Sequence, residues 1–283
     1  MGSTSTPAPP YASELEIAIG AARDAGALLR ERLGKVRQVR FKSSEVDPVT
    51  EADRASEALL AERLLGAFPD DRILGEEGTG VGLNLDAKRL WIVDPLDGTV
   101  NFLHGYPIFA VSIALAVNGT TMLGVVYDPM REELFHAVRG HGARLNNEPI
   151  AISGYDDLIR AMLVSGFSYD LDERRANMPL WSRFVDEAQA VRRDGSAALN
   201  LAYVACGRFD GYWESPIAPW DVAAAALLLE EAGGLLSRYD GSPFDPFGRE
   251  IVASNGLLHA ELLRVIGESA LTTRSDSTET ETG

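Results

Sequence analysis

Apolar residues recur three and four positions apart at Leu15, Ala18, Ala22, Ala25 and Leu29, which predicts an amphipathic first helix stopping near Gly34. Ala55, Leu59, Leu60 and Leu64 repeat the spacing and predict a second helix that reaches Phe68. Unbroken apolar runs follow. Residues 73–74, 90–93, 109–117 and 123–127 read as buried strands, the last two joined at Asn118-Gly119, a pair that accepts the left-handed backbone of a tight hairpin. Residues 133–138 predict a further strand. The run at 90–93 ends on Asp94-Pro95, a pair expected to stop the strand because proline cannot donate to a ladder.

After a crossing at 154–159 the pattern resumes. It predicts a strand at 161–165, a charged helix within 170–188, an apolar helix at 197–206 and a strand at 211–214. A helix from Pro219 should run to the Gly233-Gly234 stop, and the remaining segments, 235–239, 251–254 and a last helix at 257–266, read as structural. Residues 1–10 and 272–283 are dominated by Ser, Thr, Pro, Asp and Glu and have little apolar surface to bury. The expected organisation is a disordered tail at 1–12, an α+β half at 13–153, an α/β half at 154–271 and a second disordered tail at 272–283. Periodicity alone supports only a mixed α/β protein.

Composition narrows the class without choosing the chemistry. A chain of 283 residues, 46% hydrophobic and 24% charged, has the make-up of an ordinary globule with a large core. No apolar run is long enough to span a bilayer, and residues 1–10 lack the features of a signal peptide, so a cytoplasmic protein with no membrane partner is expected. The net charge of −16 argues against nucleic acid as a partner. Cys206 is the single cysteine and reads as packing, while His104, His136, His141 and His259 show no metal-ligand spacing.

Candidate chemistry concentrates in residues 90–102, Leu-Trp-Ile-Val-Asp-Pro-Leu-Asp-Gly-Thr-Val-Asn-Phe. Asp94 and Asp97 stand three apart across the expected turn, so both carboxylates can face one small volume, with the Leu96 carbonyl as a third oxygen. Hard oxygens at that density suit Mg²⁺, which also removes the repulsion between the two acids. Gly98 and Thr99 open the next segment and offer backbone N–H groups and a hydroxyl to phosphate oxygens. Thr50 with Asp53 is a capping pair, and Asp221 lies in a first helical turn, where an acid serves the dipole. Gly75 and Gly78 allow a tight turn that swings Glu76 toward Asp94.

The string Trp91-x-x-Asp94-Pro95-Leu96-Asp97-Gly98-Thr99-x-Asn101-Phe102 resembles the first signature of the inositol monophosphatase family, magnesium-dependent and lithium-sensitive phosphomonoesterases. Trp220-Asp221-x-Ala-Ala with Glu231-Ala232-Gly233-Gly234 resembles its second signature. Matches to Val-Thr-x-x-Asp at Asp53, Gly-Glu-Glu at Glu76 and Arg-x-Gly-Ser-Ala-Ala at Arg193 lie between them, and the likeness runs from Lys42 to Gly234.

This resemblance implies an α/β fold, the layered αβαβα sandwich of inositol and sugar phosphatases, and a homodimer. It implies Mg²⁺, two or three ions per active site, held by Glu76, Asp94, the Leu96 carbonyl, Asp97 and Asp221, and a small phosphorylated polyol or sugar as substrate. Glu76, Asp53 and Thr99 are implied as catalytic, the last two orienting the attacking water. Gly98, Thr99, Asp97, Gly195, Ala197, Glu214 and Asp221 are implied to border the substrate, with Lys42 as a basic residue nearby. One departure stands out: Gly166-Phe167 is followed by Ser168 and the bulky Tyr169, where much of the family has small residues. The expected activity is hydrolysis of inositol monophosphate by metal-activated water. Alternatives within the superfamily are fructose-1,6-bisphosphatase, histidinol-phosphate phosphatase and 3′-nucleotide phosphatase. Val100-Asn101-Phe102 favours the inositol and sugar branch, because the histidinol and nucleotide branches more often place Lys after Gly-Thr. A regulatory binding protein on the same fold is the non-enzymatic alternative, and it would be expected to have lost its acids.

Overall fold

The periodic segments form the expected helices, beginning with α1 (Ala12–Arg32). A two-stranded ribbon, β1 (Val39–Phe41) with β2 (Pro48–Thr50), leads into α2 (Glu51–Ala67). The computed structural model describes residues 10–35, 39–41, 48–80 and 87–279, so Lys42 lies outside the described residues. A capping box starts α2: the Thr50 hydroxyl accepts from Ala52 N–H at 3.0 Å, and Asp53 accepts from Thr50 N–H at 2.9 Å.

The first sheet contains β3 (Arg72–Gly75), β4 (Arg89–Asp97) and, after the short helix α3 (Thr99–Leu103), β5 (Ala110–Val117), β6 (Thr120–Asp128), β7 (Glu133–Val138), β8 (Ala143–Leu145) and β9 (Glu148–Pro149). These strands lie side by side in chain order, with β3 parallel to β4 and the others antiparallel. The second half supplies β10 (Met162–Ser165), α4 (Leu171–Glu187), β11 (Ala190–Arg192), α5 (Ala197–Ala205), β12 (Gly211–Glu214), α6 (Pro219–Glu231), β13 (Leu235–Ser237), β14 (Ile251–Ser254) and α7 (His259–Glu279). Its sheet runs β11-β10-β12-β14-β13 and mixes parallel with antiparallel pairs.

Alternation along the strands sorts the apolar side chains into layers. Trp91 and Val93 of β4 face α1 and α2, where they pack with Leu29, Leu60 and Leu64. Leu90 and Ile92 face the other way, onto Leu199 of α5 and Leu228 of α6. Tyr212 of β12 joins that same middle layer from the second sheet, whereas Trp213 turns outward to Phe184 of α4 and Leu262 of α7. The result is the αβαβα sandwich, with α5 and α6 as its central layer. Among the described residues no helix is long and apolar enough to cross a membrane.

The structure corrects two readings. β4 does not end at Val93 but continues to Asp97, pairing Asp94 with Ser112 and Asp97 with Ala110. Pro95 and Leu96 fit because they occupy a bulge, where proline owes no ladder bond. The last helix is also longer than expected and continues through Glu279, into the segment read as a tail. No glycine or proline interrupts residues 268–282.

Candidate active site

A cleft of about 550 Å³ opens between the halves, and Glu76, Asp94, Asp97, Thr99, Glu214 and Asp221 line it. The bulge in β4 presents the first pair of acids. Leu96 N–H donates to Asp94 Oδ1 at 2.9 Å, the Leu96 side chain is buried against the α1–α2 core, and Ser56 of α2 holds the Pro95 carbonyl at 2.8 Å. Gly98 then turns the chain with φ 100°, and a Cβ there would lie 3.0 Å from the Ile108 carbonyl. Glycine is what lets α3 begin at this point.

Asp97 faces the N-terminus of α5. Its carboxylate accepts from Ser196 Oγ at 2.5 Å, Ala198 N–H at 2.8 Å and Ala197 N–H at 3.1 Å. The Ala197 amide is therefore committed to Asp97, while Ala197 and Gly195 border the cleft. Asn101 ties the same junction by donating to the carbonyls of Ile108 and Asp194 at 2.8 and 2.7 Å. Asp221 is the third residue of α6, and its Oδ2 accepts from Ala218 N–H at 2.8 Å, so the helix-start reading and a place in the cleft hold for one side chain.

Asp53 likewise serves twice. Oδ2 caps α2, and Oδ1 accepts from Thr99 Oγ1 at 2.9 Å, joining residues 46 positions apart. Glu214 ends β12 with Tyr212 Oη donating to it at 2.5 Å. Tyr169 stands on the cleft wall with Phe167 and Ser168.

Burial works against ionisation of the acids in this site. It pushes Asp94 well above the ordinary carboxylate range, with Glu76, Asp97 and Asp221 adding repulsion, and it raises Asp221 in the same way. Asp97 rises to about 6, burial outweighing the hydrogen bonds from Ser196, Ala198 and Ala197. Glu214 rises to about 7 through burial, opposed by the Tyr212 hydroxyl and by Arg193. Among the described residues, no arginine or lysine is ion-paired to Asp94, Asp97 or Asp221.

This donor set has the chemistry of a hard divalent cation site: buried carboxylates and a carbonyl, with Asp94, Asp97 and Asp221 left without a basic partner among the described residues. Asn200, 1% exposed on the cleft wall, adds an amide whose two polar atoms have no partner among the described residues. The acids are not yet gathered as a cage, and no three His, Cys, Asp or Glu side chains among the described residues can hold an ion as they stand. Each rests on a protein partner instead, Asp94 on Glu76 among them.

Three contributors escaped the sequence reading: Ser56, Glu57 and Tyr212. Two had a local signal. Tyr212 shares a strand face with Glu214 at the two-residue period, and Glu57 follows Asp53 by one helical turn. Arg193 and Ser196 were marked by the Arg-x-Gly-Ser-Ala-Ala match, but the place of the Arg193 guanidinium, 5.6 Å from the Phe167 ring centre, is set by packing.

Comparison with known proteins places the chain among relatives of one kind. Residues 11–271 match the profile of the inositol monophosphatase family. An inositol-1-monophosphatase from Synechocystis sp. is 46% identical over 256 residues, covering 89% of this chain and 88% of its own. The Nus factor SuhB of Pseudomonas aeruginosa is 42% identical, covering 89% of this chain and 95% of its own. The solved inositol monophosphatase from Anabaena superposes with a TM-score of 0.82 at 45% identity, over 90% of this chain and 96% of that one.

Proposed function

Because the chain belongs to the inositol monophosphatase family, we propose that it is a Mg²⁺-dependent phosphomonoesterase that hydrolyses inositol monophosphate to inositol and phosphate. The observation that carries this reading is the meeting of Glu76, Asp94, Asp97 and Asp221 in one cleft from three separate segments, the loop after β3, the bulged end of β4 and the first turn of α6. Glu76, Asp94 and the Leu96 carbonyl would hold one ion, and Asp94, Asp97 and Asp221 a second. Bound there, Mg²⁺ lowers the pKa of water and offsets charge on the phosphoryl oxygens.

The protein's own groups do the rest. Thr99 Oγ1 commits its proton to Asp53 Oδ1, which leaves the oxygen lone pairs to accept from a water and aim it for in-line attack. The amides of Gly98 and Thr99, at the start of α3, hold the phosphate. Glu214, fixed by Tyr212, accepts from hydroxyls of the leaving polyol, and Gly195 and Ala197 border it. Tyr169 narrows the same wall.

A panel of phosphomonoesters assayed with Mg²⁺ and with chelator tests the reading. Inositol 1-phosphate should be among the best substrates, and turnover should vanish in chelator and in Asp94→Asn. Turnover that persists in excess chelator would refute it. Li⁺ sensitivity and a homodimer in sedimentation belong to the same reading. One observation favours a second: the Nus factor name of the Pseudomonas relative points to a regulatory binding protein on this fold, which a folded chain inactive across the whole panel would support.

A further inference from the structure

One face of α2 grips three separate parts of the cleft. Asp53 holds Thr99 of α3, Ser56 holds the Pro95 carbonyl in the β4 bulge, and Glu57 holds the loop after β3 that carries Glu76. The spacing of 53, 56 and 57 puts all three on the side of the helix that faces β4. Asp53 is accounted for above. Glu57 is not.

Glu57 is only 4% exposed, and both of its carboxylate oxygens are used. Oε2 accepts from Glu77 N–H at 2.7 Å and Oε1 from Thr79 N–H at 2.9 Å. The loop closes on itself through Gly75 N–H, which donates to the Thr79 carbonyl at 2.8 Å. Gly75 lies so near that a Cβ on it would come 2.3 Å from Glu57 Oε2. The backbone on either side of Glu76 is thus pressed against one buried carboxylate. An ionised carboxylate only accepts, so two converging N–H groups match it and match no other side chain of that length as well.

We propose that Glu57 is a positioning residue for Glu76, setting the loop so that the Glu76 carboxylate faces Asp94 and a divalent cation. This rests on the metal reading above. Partners that orient metal ligands typically cost 10- to 100-fold in metal affinity when removed, and Glu57 would act at that scale without touching the ion.

Glu57→Gln keeps the shape of the side chain but sets an NH₂ against a backbone N–H, breaking one of the two bonds. Gly75→Ala disturbs the same contact from the loop side while keeping the glutamate at position 57, since the added Cβ would lie 2.3 Å from Glu57 Oε2. Asp128→Asn is the control for a merely structural acid: Asp128 is fully buried and also ties a turn, accepting from Met130 and Arg131 N–H at 2.8 and 3.0 Å. Mn²⁺ affinity is read directly from the EPR signal of the free ion, with the melting temperature measured on the same samples. Glu57→Gln and Gly75→Ala should each weaken Mn²⁺ binding about 10- to 100-fold, with kcat largely recovered at saturating metal and KM for inositol phosphate unchanged. Asp128→Asn should lower the melting temperature and leave Mn²⁺ binding alone. Wild-type affinity in either loop-contact variant would overturn the proposal while leaving the metal reading intact. If the wild-type protein bound no Mn²⁺, both would fall.

Discussion

At the residue scale, Glu214 is the side chain whose environment speaks most clearly of its task. Burial holds it near 7, against the pull of Tyr212 and Arg193, so its charge changes within the working pH range. Glu214→Ala should cost inositol 1-phosphate roughly 1–3 kcal/mol in kcat/KM, the scale of a hydrogen bond to a charged group. p-Nitrophenyl phosphate, which lacks polyol hydroxyls, should lose much less; equal losses would mean that Glu214 supports the catalytic centre instead. Arg193 tests the charge itself. It lowers the pKa of Glu214, so Arg193→Gln should raise that pKa, and the acid limb of kcat/KM for inositol 1-phosphate should move to higher pH. A limb that stays in place would separate Arg193 from Glu214. The sequence marked Glu214 through its resemblance, yet the proton partner and the opposing cation came from packing.

At the element scale, α6 matters because it carries Asp221 into the cleft, and β6 sets its height. A Cβ at Gly124 would lie 2.5 Å from the Ala224 carbonyl of α6. Gly124→Ala should therefore push helix from sheet and destabilise the fold by about 1–3 kcal/mol, the usual cost of overpacking. Gly66 is the contrast, since it lies in α2 with nothing within 4 Å of an added Cβ. Gly66→Ala should stabilise by about 0.5–1 kcal/mol, the difference in helix cost between the two residues. Urea unfolding of both variants checks the pair, and a neutral Gly124→Ala would show that the contact yields. Long periodic elements such as α1, α6 and β5 were legible in advance. The two- and three-residue strands β8, β9 and β11 were not, because neighbours hold them rather than any pattern of their own.

At the scale of the whole molecule, the buried acids link stability, metal and pH. Asp94, Asp97 and Asp221 have folded-state pKa values raised above those of the unfolded chain, Asp97 to about 6. Such groups contribute stability that is complete below the unfolded value of about 3.9 and is lost as pH rises through the folded value. The metal-free protein should thus lose this contribution as pH climbs through about 6 and beyond, where ionised carboxylates favour Mg²⁺. The rise in melting temperature on adding Mg²⁺ should be larger at pH 7.5 than at pH 5, and the comparison with and without metal cancels groups remote from the cleft. A rise that is equal at both values, or larger at pH 5, would detach these acids from the ion. The sequence by itself determined the long elements, the hairpin at Asn118-Gly119 and the residue types of the cleft, because periodicity, turn chemistry and a contiguous signature are local properties. Only the tertiary structure decided that β4 runs on through a bulge, that α5 and α6 lie between the two sheets, and that Asp53 reaches Thr99 and Asp97 reaches Ser196. Whether an acid is solvated, caps a helix or faces a cation depends on its burial and its partners, and distant segments supply both.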